Sequence, residues 1–359
     1  MQATAAQVLG GSEFREDLRL PQSRPSKTQA RKILSAQELA PLTTLSTRRA
    51  LWSLAITLGM VVLAVILGLW AWNQPAWGKL WLLPACLWMA IAQHGLFILA
   101  HESAHYRLFG HRSINDAVGR LMGMAAGISM CTYRVIHRLH HNHLYEAQDP
   151  DTALHGGYPR GVEYLWKKLL VDLSGVNAWK TFAYFFGSPA INTDTGVASH
   201  ALDDTSPQLR ADARRDRWAV VAFHVCVPVA LGITMGWQGV LAFVGLWWLP
   251  MLTFLQPILR LRAICEHGAV TDTSSPMTAA RSNRTHGSVI NWLARFVLFP
   301  HHVNYHLEHH LYPAVPHYHL PALHRLLSEK GALEQAEVRD VRETLSLIFA
   351  PKTWRTSHG

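Results

Sequence analysis

Three short stretches carry imidazoles at spacings that put them on one face of a helix. Residues 299–325, FPHHVNYHLEHHLYPAVPHYHLPALHR, contain H-x-x-H-H in His306, His309 and His310. HESAH supplies His101 and His105, and HRLHH supplies His137, His140 and His141. Side chains three and four residues apart are neighbours on a helix surface. Neutral imidazole suits iron, zinc and copper, whereas hard oxygen-seeking cations call for carboxylates. These eight histidines, with few acids between them, therefore point to one or two first-row transition metals. Other histidines, among them His155, His200, His224 and His358, are scattered and read as surface or core residues without a role in the site.

The elements that must position these clusters are membrane helices. The chain has 359 residues, 49% of them hydrophobic, with 14 Trp and several long uncharged runs, which indicates a polytopic membrane protein. Cys86, Cys131, Cys226 and Cys265 are far apart and form no C-x-x-C pair, so neither a disulfide framework nor a thiolate metal site is expected. The net charge of +9 comes from basic residues that flank apolar runs. That distribution suits a lipid bilayer and argues against nucleic acid as a partner.

Residues 1–46 are polar and aperiodic and read as a flexible tail, with no signal-peptide core near Met1. Leu51 to Trp72 is a first span, preceded by Arg48 and Arg49, which places the N-terminus in the cytoplasm. The loop NQPAWGK turns the chain into a second span, Leu80 to Ala100, that delivers His101 back to the same side. His94 projects toward the face of His101 and reads as a packing or cavity residue. Leu121 to Met130 is too short to cross and suits a re-entrant or interfacial helix; Val162 to Phe186 suits a helix in the headgroup plane. Residues 187–217 read as a cytoplasmic loop. A second hairpin, Trp218 to Met235 and Val240 to Leu259, is joined by GWQG and brings the chain to RLRAICEHGAV, where His267 can complete the metal set as a ninth imidazole. Two hairpins put all the clusters on one side, as a shared site requires. The expected fold is thus an all-α integral membrane protein with four transmembrane helices in two hairpins, plus interfacial helices. The boundaries are a tail over 1–46, a membrane domain over 47–330 and a cytoplasmic C-terminal segment over 331–359.

HESAH, HRLHH and HLEHH, with NYHLEHHLYPAVP, LPALH, HHNHLYEAQDPD and CEHGAV, resemble the membrane fatty acid desaturase and hydroxylase family over about residues 50–325. The surroundings of the third box most resemble bacterial acyl desaturases. The resemblance implies a mushroom-like arrangement with a cytoplasmic helical cap holding a histidine-ligated di-iron centre, and a bacterial inner membrane as its location. It implies O2 as co-substrate and attack on an unactivated C–H bond of a fatty acid or acyl lipid. The implied iron ligands are His101, His105, His137, His140, His141, His306, His309 and His310, and His267 matches the additional histidine. Neither terminus shows a fused cytochrome b5 domain, so electrons are expected from a separate ferredoxin, rubredoxin or cytochrome with its reductase.

The chemistry asks for such a site, because breaking an aliphatic C–H bond lies beyond the strength of side-chain acids and bases. Glu102, Glu146, Asp149, Asp151, Glu266 and Glu308 are candidates to accept imidazole N–H groups and fix their tautomers. Asn304 is a candidate to hold a metal-bound water, or a helix cap. Arg134, Arg138, Lys167 and Lys168 are candidates to dock an anionic headgroup or an acidic electron donor, or are plain membrane-surface charge. Desaturation is the first expectation, with hydroxylation and oxidative decarboxylation of a free fatty acid to a terminal alkene behind it, since small differences in substrate placement decide between them. Two rivals remain. HESAH also satisfies the H-E-x-x-H zinc protease pattern, with Glu102 as general base and one metal where the oxidase needs two. A membrane carrier of metal or haem would favour ionisable residues inside the spans, where only His94 and His224 lie.

Overall fold

The structure is a computed structural model that describes residues 33–146, 149–188, 191–192, 197–198, 206–270 and 272–351. The helices are α1 (Ala36–Thr43), α2 (Thr47–Trp72), α3 (Leu82–Ala104), α4 (Arg112–Ala125), α5 (Met130–His143), α6 (Thr152–His155), α7 (Val162–Leu173) and α8 (Ala178–Phe185). They continue with α9 (Pro207–Met235), α10 (Trp237–Phe243), α11 (Leu249–Leu252), α12 (Leu255–His267), α13 (Val289–Leu298), α14 (His306–Leu311), α15 (Leu320–Glu329) and α16 (Val341–Ile348). Four stretches are long and apolar enough to cross a membrane: Thr47–Trp72, Ala76–Ala104, Pro207–Met235 and Trp237–His267.

Helix α3, which carries the first histidine box in its last turn, is the one the others wrap. Every residue from Met89 to Ala104 is buried, so its apolar character on all sides is a consequence of its central place. α2 packs against it through small residues, among them Ala50, Ser53, Thr57 and Ala64, which let the backbones approach closely without a water-driven force. Its larger side chains, such as Trp52, Ile56, Val62 and Ile66, face outward. A short 3-10 turn, Ala76–Trp81, makes the first hairpin, with Trp70 and Trp81 ring centroids 6.3 Å apart and Trp72 and Trp77 exposed beside them. This is the aromatic cluster expected at a membrane interface. On the other side α4 crosses α3 so closely that a Cβ on Gly119 would lie 2.2 Å from Ser103 Cβ.

The second hairpin is less regular. Gly236, at φ +70°, turns α9 into α10, a π-helical turn over Val244–Trp248 follows, and the helix breaks at Thr253 before α12. Such irregularity is a recognised cause of bends, and here the bend lets α12 end at His267 against α3.

Three segments differ from the sequence expectation. α9 begins at Pro207, within the stretch expected as loop, because Ser206 caps it and Pro207 fits the first helical position. Its polar first turns are used in packing: buried Asp216 accepts from the Cys131 backbone N–H at 2.9 Å, at the start of α5, and pairs with Arg120 at 3.0 Å. Residues 189–190, 193–196 and 199–205 of that loop lie outside the described residues.

At the N-terminus, residues 1–32 lie outside the described residues, but the expected tail does not reach 46 without structure. Ser35 and Glu38 form a capping box that starts α1, and Leu39 and Leu42 pack onto a cluster containing Leu307, Leu311 and Leu323. At the C-terminus, β2 (Val338–Asp340) pairs in parallel with β1 (Ser282–Arg284), and α16 buries Val341, Leu347 and Ile348. Residues 331–351 are therefore bound into the body that the sequence assigned to 47–330; residues 352–359 lie outside the described residues.

Candidate metal centre

Each histidine box arrives on its own element. His101 sits in the last turn of α3 and His105 just beyond it; His137, His140 and His141 share one face of α5; His306, His309 and His310 share α14; His267 ends α12. Helix starts fix the register: Ser129 caps α5, accepting from Thr132 N–H at 3.3 Å. Arg134 holds the other side of the joint, donating to the Ser103 and Ala104 carbonyls at 3.1 Å and pairing with Asp116 at 2.7 Å. A residue read as a candidate for headgroup docking thus ties the second box to the end of the first.

The nine histidines converge in two groups. His101, His105, His137 and His309 form one, and His140, His267, His306 and His310 the other, each with potential ligand atoms within 4.8 Å of one another. His141 belongs with the first, its Nε2 lying 3.0 Å from His137 Nε2 and 3.1 Å from His309 Nε2. Its ring stacks on His310 at 4.1 Å, so the two groups are in contact. In the second group His267 Nε2 lies 3.1 Å from His140 Nε2 and 2.8 Å from His306 Nε2.

The tautomers of two of these rings follow from their other nitrogens. His140 Nδ1 donates to Asp149 Oδ1 at 2.9 Å, and His267 Nδ1 donates to the Ala279 carbonyl at 3.2 Å. When both rings are neutral, each presents a bare Nε2 lone pair to the other. Facing lone pairs at that distance repel, and a shared cation relieves the repulsion; an imidazole whose far N–H is held by a carboxylate or carbonyl is also the usual arrangement of a metal-bound histidine. Protonation supplies such a cation only through His140. Burial, helped by neighbouring imidazoles, holds His137, His141, His306, His309 and His310 well below the usual range and brings His105 down to about 3. His140 is the exception: burial lowers it, but the carboxylates of Asp149 and Asp151 outweigh that and push it up to about 9. Histidines kept neutral at physiological pH are ready to bind metal.

The acids divide by what they touch. Glu102 lies 3.4 Å from His101 Nδ1 and accepts from the His317 ring and backbone at 3.1 and 2.9 Å. Glu266 Oε1 lies 3.5 Å from His306 Nδ1. Asp149 accepts from His140, from Asp151 N–H at 2.9 Å and from Tyr145 N–H at 2.9 Å, so this one carboxylate is held in place and in turn orients the His140 ring. Asp151 stands 3.7 Å from the same His140 nitrogen and is held by the Tyr184 hydroxyl. Three other candidates bond elsewhere: Glu146 to His143 at 2.8 Å, Glu308 to Ser282 and His324, and Asn304 to the Asn283 carbonyl at 3.0 Å. We expect Asp149→Asn to weaken metal binding at the second group by roughly 10–100-fold, read by competition with a chelator; unchanged affinity would mean that the Asp149 contact does not orient His140.

The structure also brings in residues that sequence spacing did not single out. His155 is buried behind the second group, its ring 4.8 Å from that of His267 and its Nε2 3.8 Å from Asp149. His317 joins Glu102 to Ser53, whose hydroxyl is 2.8 Å from its Nε2. Ser53 in turn lines a cavity of about 530 Å³ between α2 and α13, walled by Trp52, Ile56, Met60, Trp292 and Phe296 with Arg49 and Arg295 among its polar groups. Arg281, fully buried, donates to the Cys265, Gly268 and Ala269 carbonyls at the end of α12 and pairs with Glu337 at 3.1 Å. His155 and Arg281 lie outside the boxes, and His317, although in the same stretch as the third box, falls beyond its helix at a spacing that gives it no shared face. His94 is a packing residue, its Nδ1 3.4 Å from the Val297 carbonyl.

Membrane-length helices and two contacting, largely buried sets of imidazoles define a class: a helical membrane protein whose histidine nitrogens are close enough together that they could hold a metal ion. Residues 79–341 match the family described as "Fatty acid desaturase", and the chain belongs to that family, whose members are oxidoreductases. It is similar to a soybean chloroplastic omega-3 fatty acid desaturase, 23% identical over 69% of this chain and 53% of that protein. It is also similar to an sn-1 oleoyl-lipid 12-desaturase of Anabaena variabilis, 26% identical over 79% of this chain and 77% of that one. A beta-carotene ketolase of a Paracoccus strain is 29% identical over 66% of this chain and 74% of its own. The chain thus spans about half the length of the soybean relative. The single-zinc protease alternative does not describe two histidine groups, and Glu102 is hydrogen-bonded to His317 on the Nδ1 side of His101.

Proposed function

We propose that this protein is a di-iron, O2-dependent oxidase of fatty acyl chains and that its outcome is desaturation. The observation that carries the reading is the pair of histidine groups in contact at the ends of two membrane-length helices. His101, His105, His137, His141 and His309 would hold one iron, and His140, His267, His306 and His310 the other. The iron pair would supply the oxidising power for an aliphatic C–H bond that no side chain has. The chain's own work is to keep the imidazoles other than His140 neutral by burial, to fix the tautomers of His140 and His267 through Asp149 and the Ala279 carbonyl, and to hold the two groups in contact through His141 and His310. Nitrogen donors of this kind suit iron in either common oxidation state.

The remaining parts follow from the same reading. The substrate is a fatty acid or acyl lipid, and a separate ferredoxin, rubredoxin or cytochrome with its reductase supplies electrons. Arg48 and Arg49 in the first turn of α2 support a cytoplasmic side for that end, the histidine groups and both termini, in a bacterial inner membrane. Hydroxylation and oxidative decarboxylation would use the same groups.

Mass spectrometry of lipids from a host supplied with defined fatty acids, together with iron content of the purified protein, tests the reading. A new double bond at constant chain length with iron bound is expected. A hydroxy acid, or an alkene one carbon shorter, would overturn desaturation and keep the centre. Iron-loaded protein that yields no oxidised acyl product with a competent donor would overturn the oxidase.

A further inference from the structure

Arg262 lies on α12, five residues before His267, and only 6% of it is exposed. Its Nε donates to Glu266 Oε1 at 2.8 Å, and its guanidinium carbon stands 5.6 Å from the centre of the Phe97 ring. Among the described residues, neither terminal nitrogen of this guanidinium donates a hydrogen bond to anything. A buried cation is tolerated when its charge is paired and its donors are used; here one edge is used and the two-nitrogen fork is not.

The position of that fork gives it meaning. Glu266 Oε1, which accepts from Arg262, also lies 3.5 Å from His306 Nδ1 in the second histidine group. On the other side Phe97 is 5.2 Å from Tyr133, whose ring stacks on His137 of the first group at 5.1 Å. Arg262 is therefore one carboxylate away from one group and two rings away from the other. Phe185 belongs to the same aromatic patch, 5.4 Å from Phe97 and 5.8 Å from Tyr133, while Glu266 and, further off, Asp151 are the carboxylates that feel the Arg262 charge.

We propose that the terminal nitrogens of Arg262 grip the carboxylate of a free carboxylic acid substrate, so that the C–H bond attacked lies within a few carbons of the acid group. The proposal rests on the oxidase reading above and narrows its substrate class. A planar guanidinium fork matches the two oxygens of a carboxylate, and the match is strongest in a desolvated setting. The Phe97, Tyr133 and Phe185 rings are suitable walls for the methylene chain that follows the acid. A thioester or a glycerolipid ester carries no charge at that point and would leave the fork as unsatisfied as before. An acid held by its own carboxylate beside the centre presents its first carbons, whereas a chain held by a distant headgroup presents its middle.

The test compares dodecanoate with methyl dodecanoate on the detergent-solubilised, iron-loaded full chain, by titration calorimetry and by product analysis with an electron donor. The acid is expected to bind at least about tenfold more tightly than the ester, the usual value of a charge-assisted hydrogen bond, and to be oxidised near the carboxyl end. Arg262→Gln should remove the preference and Arg262→Lys should keep part of it, with iron content measured in both because Glu266 also touches His306. If either variant loses iron, the acid-to-ester comparison on the native chain decides alone. Equal binding of acid and ester, or mid-chain oxidation of the acid, overturns the subsite while leaving the oxidase standing. Tight, Arg262-dependent binding of the acid without oxidation of any acyl compound supports the subsite and overturns the oxidase.

Discussion

We expect His306→Ala and His140→Ala each to abolish turnover and strip the metal of the second group, although the two residues come from boxes far apart in the chain. His306 and His140 both point Nε2 at His267 Nε2, at 2.8 and 3.1 Å. Removing either ring takes away a donor and leaves the others facing one another across a gap with a lone-pair repulsion that only a cation relieves. The expected loss exceeds the roughly 10–100-fold that an outer partner of a metal ligand is worth, because here the ligand itself goes. His137→Ala should reproduce the loss of activity while its metal deficit falls on the first group. The measurement is iron per chain, with Mössbauer spectra to tell the groups apart, alongside product formation. Full activity in His306→Ala or His140→Ala would end the shared-site reading.

How much of this was legible in the sequence depended on the range of the signal. The boxes were legible because i, i+3 and i+4 spacings are local, and every histidine in them entered one of the two groups or, like His141, bridged between rings of both. His267 was legible from its place at the end of a hydrophobic run. The spans were legible because length and absence of charge are sufficient for them. Asn304 and Glu308 lie beside the third box in sequence, but on α14 and the turn before it they bond Asn283, Ser282 and His324. Adjacent residues on a helix lie about 100° apart, so neighbours in sequence need not share a face. His155 is silent in the sequence for the converse reason: no histidine box is near it, and its neighbours His267 and Asp149 are brought to it by the tertiary fold.

The C-terminal segment makes the same point with the largest stability effect. Sequence composition gave no reason to join residues 331–359 to the metal site, yet Glu337 is buried at 3% exposure and pairs with Arg281, which is 0% exposed. Arg281 in turn satisfies carbonyls of Cys265, Gly268 and Ala269, the helix-end groups that lack partners within α12. The Arg281 backbone N–H also bonds the Glu266 carbonyl at 2.8 Å. The ion pair is thus the outer end of a brace that fixes where His267 ends its helix. Glu337→Ala leaves a buried guanidinium without its counter-charge, and the expected cost is about 3–5 kcal/mol of stability, seen as a lowered thermal unfolding midpoint. Glu337→Gln, which keeps an acceptor for Arg281 and Arg339, should cost less. Because α12 loses its clamp, iron of the second group should become easier to extract with a chelator while that of the first is held. A Glu337→Ala protein that melts normally and keeps both metals equally would show that the brace is ornamental and that α3 and α5 alone position His267.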